Sequence, residues 1–77
     1  MKTYNIMLKS INDVKTFVNN VNKYDYEIDL ISGRYIVDAK SIMGIFSLDL
    51  NNPIKIEMHC DNCTPLLEEL APFIIEE

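Results

Sequence analysis

A chain of 77 residues with a hydrophobic content of 48% is long enough for one small core and too apolar for disorder. Its net charge of −5 and lack of any basic run argue against a nucleic-acid partner. No apolar run nears the roughly 20 residues of a membrane-spanning helix and no signal-peptide core opens the sequence, so one cytoplasmic domain over 1–77 is expected.

Tyr4, Ile6 and Leu8 alternate with Asn5, Met7 and Lys9, the period of a strand with one buried face. Ile11, Val14, Phe17, Val18 and Val21 then recur at helical spacing, with Asn12, Lys15, Thr16, Asn19 and Asn22 opposite. Ser10 precedes this helix and Asp13 lies three residues on, an approximate capping box with Asp in place of Glu. Tyr24, Tyr26, Ile28 and Leu30 alternate with Asp25, Glu27 and Asp29 as a second strand. Ser32-Gly33 turns the chain into a third strand at Tyr35, Ile36 and Val37, which makes a hairpin.

A short helix is expected from Ser41, a favoured N-cap residue. Ile42, Met43, Ile45, Phe46 and Leu48 point in nearly every direction around it. So short a helix buries only one stripe, so some of these side chains should face water as a docking patch. Asn51-Asn52-Pro53 reads as a loop, and Ile54, Ile56 and Met58 alternate with Lys55, Glu57 and His59 as a fourth strand. Thr64-Pro65 is a cap-plus-first-turn pair for a last helix burying Leu66, Leu67, Leu70 and Ile74, which Pro72 should end or kink. The order is βαββαβα: an α+β sandwich with a four-stranded antiparallel sheet and three helices on one face. The other face, with Asp25, Glu27, Asp29, Lys55 and Glu57, is expected to stay wet.

The block Lys40-Ser41-Ile42-Met43-Gly44 with Ser47-Leu48 resembles the regulatory-serine motif of HPr, the phosphocarrier of the bacterial sugar phosphotransferase system. Aligned on Ser41, the chain runs back to its N-terminus without a gap, and Phe17-Val18 falls on the family's Phe-Val pair in the first helix. The resemblance implies the same open-faced sandwich. It also implies a phosphate-accepting histidine just before the first helix, supported by an arginine. Here Ser10 occupies the histidine position, Asn12 the arginine position and Asp13 that of the following proline.

Reversible phosphotransfer uses an imidazole nitrogen as nucleophile, and a serine hydroxyl without an adjacent base is a poor substitute. Asp13 would repel a phosphate where an arginine should attract it. The sequence therefore predicts a protein that relays no phosphate, with Ser10 acting as a helix cap. The single histidine, His59, is assigned to the fourth strand, away from that position. What persists resembles the catabolite-repression paralogues of HPr, which keep the regulatory serine. The resemblance implies phosphorylation of Ser41 by an HPr kinase, then binding to a transcriptional regulator or another protein of the phosphotransferase system. Lys40, Ile42, Met43 and Phe46 would surround the phosphate, with Lys40 offsetting Asp38. The plain alternative is that Ser41 is only an N-cap and the apolar residues only core.

Two further groups attract attention. Cys60-x-x-Cys63 beside His59 lacks the second ligand pair of a structural zinc site, so two ordinary thiols around a turn are expected, with shared metal across a dimer as the other option. Asp25, Glu27 and Asp29 read as a solvated, edge-protecting face. No nucleophile, base and orienting residue come together, so neither an enzyme, a cofactor nor a metal is expected. The competing function is an unphosphorylated interaction protein of the same fold, or a self-associating one that forms a homodimer through Phe46. A carrier using His59 is a distant third.

Overall fold

The two sequence periods resolve into eight elements in the computed structural model, which describes residues 2–75. The chain passes through β1 (Lys2–Ile6), α1 (Ile11–Val21), β2 (Ile28–Ser32), β3 (Tyr35–Asp38), α2 (Ile42–Phe46), β4 (Ile54–Met58), α3 (Thr64–Leu70) and β5 (Ile74–Ile75). The strands form one antiparallel sheet in the order β3-β2-β4-β1-β5. The sheet therefore has five strands where the sequence reading expects four.

Pro72 explains the fifth strand. Its ring clashes with the carbonyl four residues earlier, so α3 ends at Leu70 and the chain turns through Ala71–Phe73. The Phe73 N–H donates to Leu70 O at 2.8 Å, and Met7 N–H donates to Phe73 O at 2.8 Å. Ile74, expected on the helix, is instead delivered beside Ile6, and Ile75 beside Asn5. The opening of α3 also differs from expectation. Cys63 is its N-cap, Thr64 its first residue, and the Cys63 side chain makes no cap hydrogen bond.

Register aligns the buried rows. Tyr4 and Leu30 both pair with Ile56, and Val37 continues that row across β3. Ile6 pairs with Ile54, and Ile28 with Met58. Above these rows lie Val14, Phe17 and Val21 of α1, Ile45 of α2, and Leu66 and Leu70 of α3, all fully buried. Each such side chain contributes about 1.5–3 kcal/mol of burial. Phe17 and Phe73 meet edge to face, with ring centroids 6.3 Å apart. Ile11, read as part of the apolar stripe of α1, is 62% exposed, as its place on the first turn allows.

The opposite face carries Thr3, Glu57, Asp29 and Asp38 in one row, and Asn5, Lys55, Ile31 and Ile36 in the next. Strand β2 begins only at Ile28, so Asp25 and Glu27 precede it. Asp29 lies on an inner strand, which corrects the edge-protecting role, since β3 and β5 are the edges. The β2–β3 turn has Gly33 at φ +60°. A two-residue hairpin of the II′ kind needs glycine at that first turn position. Tyr35, just after this turn, is 70% exposed, unlike Tyr4, Tyr24 and Tyr26, which pack partly buried against the core. Among the described residues no helix is long and apolar enough to cross a membrane.

Candidate functional site around Ser41

Chain direction changes at Asp38. The Ser41 N–H donates to Asp38 O at 3.0 Å, and the Lys40 N–H to Asp38 Oδ1 at 2.9 Å. Ser41 keeps extended dihedrals (φ −99°, ψ 107°), and its Oγ accepts the Gly44 N–H at 3.3 Å. This is the N-cap device, which satisfies one of the helix's free donors. At the other end Ser47 Oγ donates to Gly44 O at 2.6 Å, and α2 stops after Phe46. The helix is a single turn and a half.

The apolar residues of α2, with Leu48 just beyond it, divide as a narrow helix requires. Ile45 and Leu48 are buried, Ile42 packs partly buried against the core, and Met43 and Phe46 are 77% and 42% exposed. Ser41 itself is exposed. Gly44 permits close packing on β3, because a Cβ there would lie 3.3 Å from Val37 Cβ and 3.5 Å from Ser41 Oγ. One short segment thus carries an exposed serine and two exposed apolar residues. Lys40 is placed differently from its neighbours. Its ammonium donates to Tyr24 O at 2.5 Å, so it is tied to the segment before β2.

Ser10 occupies an equivalent local position on α1. Its Oγ accepts the Asp13 N–H at 3.1 Å, while Asp13 Oδ2 accepts the Lys9 N–H at 2.9 Å. Ser10 and Asn12 are both exposed. Ser10 is a helix cap with its acceptor capacity turned inward.

His59 follows β4, and its N–H donates to Glu27 O at 2.9 Å. Its ring Nε2 lies 3.2 Å from Asp29 Oδ2. Ligand atoms of Asp29, Glu57 and His59 all fall within 4.8 Å of one another, a set of the type that can hold a divalent cation. Nε2 and Asp29 Oδ2 are already within hydrogen-bond distance of each other. A cleft of about 250 Å³ opens beside it, between Asp25–Asp29, Asp38 and Lys40. Four carboxylates against one ammonium make that cleft unsuited to an anionic ligand.

Two features are absent from the sequence reading. First, Glu69 of α3 receives both the Lys23 ammonium at 2.8 Å and the Tyr24 hydroxyl at 2.9 Å. The Lys23 and Tyr24 hydrogen bonds hold the Glu69 carboxyl below the ordinary glutamate range, and donation to Glu69 pushes the Tyr24 phenol up. Burial pushes the neighbouring Tyr26 phenol up, and its Oη is enclosed with no hydrogen-bond partner among the described residues. No local periodicity marks a contact between residues 45 or 46 positions apart. Second, Cys60 and Cys63 are joined in a disulfide, which corrects the expectation of two free thiols. The spacing was visible, but spacing alone does not say whether two sulfurs meet.

The family model described as the "PTS HPr component phosphorylation site" matches residues 12–74. Among solved structures, the chain resembles HPr-C-His from Thermoanaerobacter tengcongensis with 28% identity and a TM-score of 0.78, over 94% of this chain and 89% of that one. The phosphocarrier protein HPr from Bacillus anthracis is similar at 25% identity and a TM-score of 0.76, over 96% of each chain. A histidine-containing phosphocarrier protein from Mycoplasma shares the fold at 12% identity, with a TM-score of 0.74 over 92% and 89% of the two chains. No curated protein matches by sequence. The seven expected elements in their expected order with a short fifth strand added, an exposed capping serine before α2 and a family match across most of the chain lead to one conclusion: this chain belongs to the HPr family of the phosphotransferase system.

Proposed function

We propose that this chain is a regulatory binding module of the HPr family, switched by phosphorylation of Ser41 and unable to carry phosphohistidine. The observation that supports it most is an exposed Ser41 at the start of a helix whose Met43 and Phe46 are also exposed. A phosphoryl group there adds about −1.5 to −2 charge at pH 7 and acceptor oxygens for a partner's arginine, while the two side chains supply apolar contact. Ile42 completes the patch from its half-buried position, and Lys40 braces the turn that presents it.

Loss of carriage follows from the alignment that puts Ser10 at the histidine position and Asn12 at the arginine position. Ser10 has no imidazole beside it, since His59 is engaged with Asp29 at 3.2 Å. The partners on this reading are an HPr kinase, which supplies the phosphate, and a transcriptional regulator or other phosphotransferase-system protein, which reads it. The role is carbon catabolite regulation of sugar transport in the bacterial cytoplasm.

The test uses an HPr kinase with ATP, followed by intact-protein mass spectrometry. One added phosphate in the native chain and none in Ser41→Ala is the expected result. Equal labelling of both proteins overturns the proposal.

A further inference from the structure

We infer that the Cys60–Cys63 bridge is a thiol-exchange site, at which a small thiol or dithiol opens and re-forms the bond while the fold stays intact. The two halves of the bridge are unequal. Cys60 is partly exposed just after β4, whereas Cys63 is 2% exposed at the start of α3. Between them Asp61 and Asn62 form an exposed turn. Access to sulfur governs which atom an outside thiolate attacks, and here only the Cys60 side is open.

The exchange balances as two steps. A thiolate of the incoming dithiol attacks Cys60 Sγ, the S–S bond breaks, and the electron pair leaves on Cys63 Sγ, which takes a proton from solvent. The second thiolate of the dithiol then attacks its own bound sulfur. That releases Cys60 Sγ, which is protonated in turn, and closes the dithiol into a disulfide. The protein cystine gains two electrons and the dithiol loses two.

Three observations separate an exchange site from a structural staple. The bridged residues are three apart in sequence, and constraint of the unfolded chain is least for such short loops. The start of α3 has an anchor besides the bridge, since Leu66 is fully buried in the core. The C-terminal end of α3 is held by Glu69 through Lys23 and Tyr24. The fold therefore has its own reasons to persist when the sulfurs part.

The experiment equilibrates the full chain in buffers of reduced and oxidised dithiothreitol, then alkylates, weighs and records circular dichroism. Expected are no alkyl groups on the oxidised chain, two on the reduced chain, and a return to none on reoxidation, with the helical signal retained throughout. In the single variants, Cys60 of Cys63→Ser should alkylate at least about tenfold faster than Cys63 of Cys60→Ser, and only the former should accept one glutathione. A bond that resists millimolar dithiothreitol in the folded chain overturns the inference. So does a chain that unfolds on reduction, thiols that never pair in the oxidised buffer, or equal alkylation rates in the two variants. None of these readings involves Ser41, so this inference and the phosphorylation proposal stand or fall separately.

Discussion

Two serines cap two helices in this molecule, and the surroundings of each give them different meanings. Ser10 opens α1, eleven residues long, whose Val14, Phe17 and Val21 are buried. Ser41 opens α2, five residues long, in which only Ile45 is fully buried. Their local hydrogen bonds are the same, an Oγ accepting the N–H three residues on at 3.1 and 3.3 Å. A cap bond therefore identifies neither serine as a functional site. Exposed apolar side chains follow both caps, Ile11 after Ser10 and Met43 and Phe46 after Ser41. What distinguishes Ser41 is a helix too short to bury more than one stripe, and what distinguishes Ser10 is Asp13, whose carboxylate accepts a further hydrogen bond from the Lys9 N–H.

The contrast breaks most visibly at the helix cores. Phe17→Ala removes a fully buried ring and should cost about 3–5 kcal/mol in denaturant unfolding, enough to leave a domain this size marginal. Met43→Ser on α2 should change stability by less than about 0.5 kcal/mol, while weakening capture of the Ser41-phosphorylated chain by its partner. A large stability loss at Met43 would mean that α2 has no free face.

The caps come next. Ser10→Ala should cost about 1 kcal/mol, and Ser41→Ala about 0.5–1 kcal/mol because the helix it opens is short. Thermal melts of the two variants measure both. Asp is nearly as good a cap as Ser, so Ser41→Asp should restore the stability that Ser41→Ala loses. Ser10→Asp brings a carboxylate against Asp13 and should restore less.

The link between α3 and the end of α1 gives a pH signature. The folded Glu69 carboxyl is held below its ordinary value, so its stabilisation is present above about pH 4.3 and fades as pH falls through the lower folded value. Glu69→Gln should flatten the acid limb of a stability–pH curve over that window. An unchanged limb would show that the Lys23 and Tyr24 contacts contribute nothing in solution.

The smallest effect concerns Tyr26. Its hydroxyl is enclosed without a partner among the described residues, so Tyr26→Phe should leave stability unchanged or raise it by up to about 1 kcal/mol. A loss would reveal a hydrogen bond to solvent.

Most of this architecture is legible in the residues. The alternation of Ile54, Ile56 and Met58 and the spacing of Val14, Phe17 and Val21 place their elements, because burial on one face imposes a period. The fifth strand is not legible. Ile74-Ile75 is two residues long, too short to show alternation, and it forms only because Pro72 turns the chain back beside β1. At the site, Ser41 and the exposure of Met43 and Phe46 follow from a helix too narrow to bury every apolar side chain. The engagement of Lys40 with Tyr24, the Glu69 contacts and the sulfur–sulfur bond depend on where distant segments meet. No local pattern encodes that.

The comparison of the two serines is decided by one experiment. The chain is incubated in one arm with an HPr kinase and ATP, in the other with phosphoenolpyruvate and the general phosphotransferase enzyme, and the phosphate is located by peptide mapping. The account predicts a single acid-stable phosphate on Ser41 in the first arm and none anywhere in the second. Phosphate on Ser10 or His59 in the second arm, or an unlabelled Ser41 in the first, would contradict it.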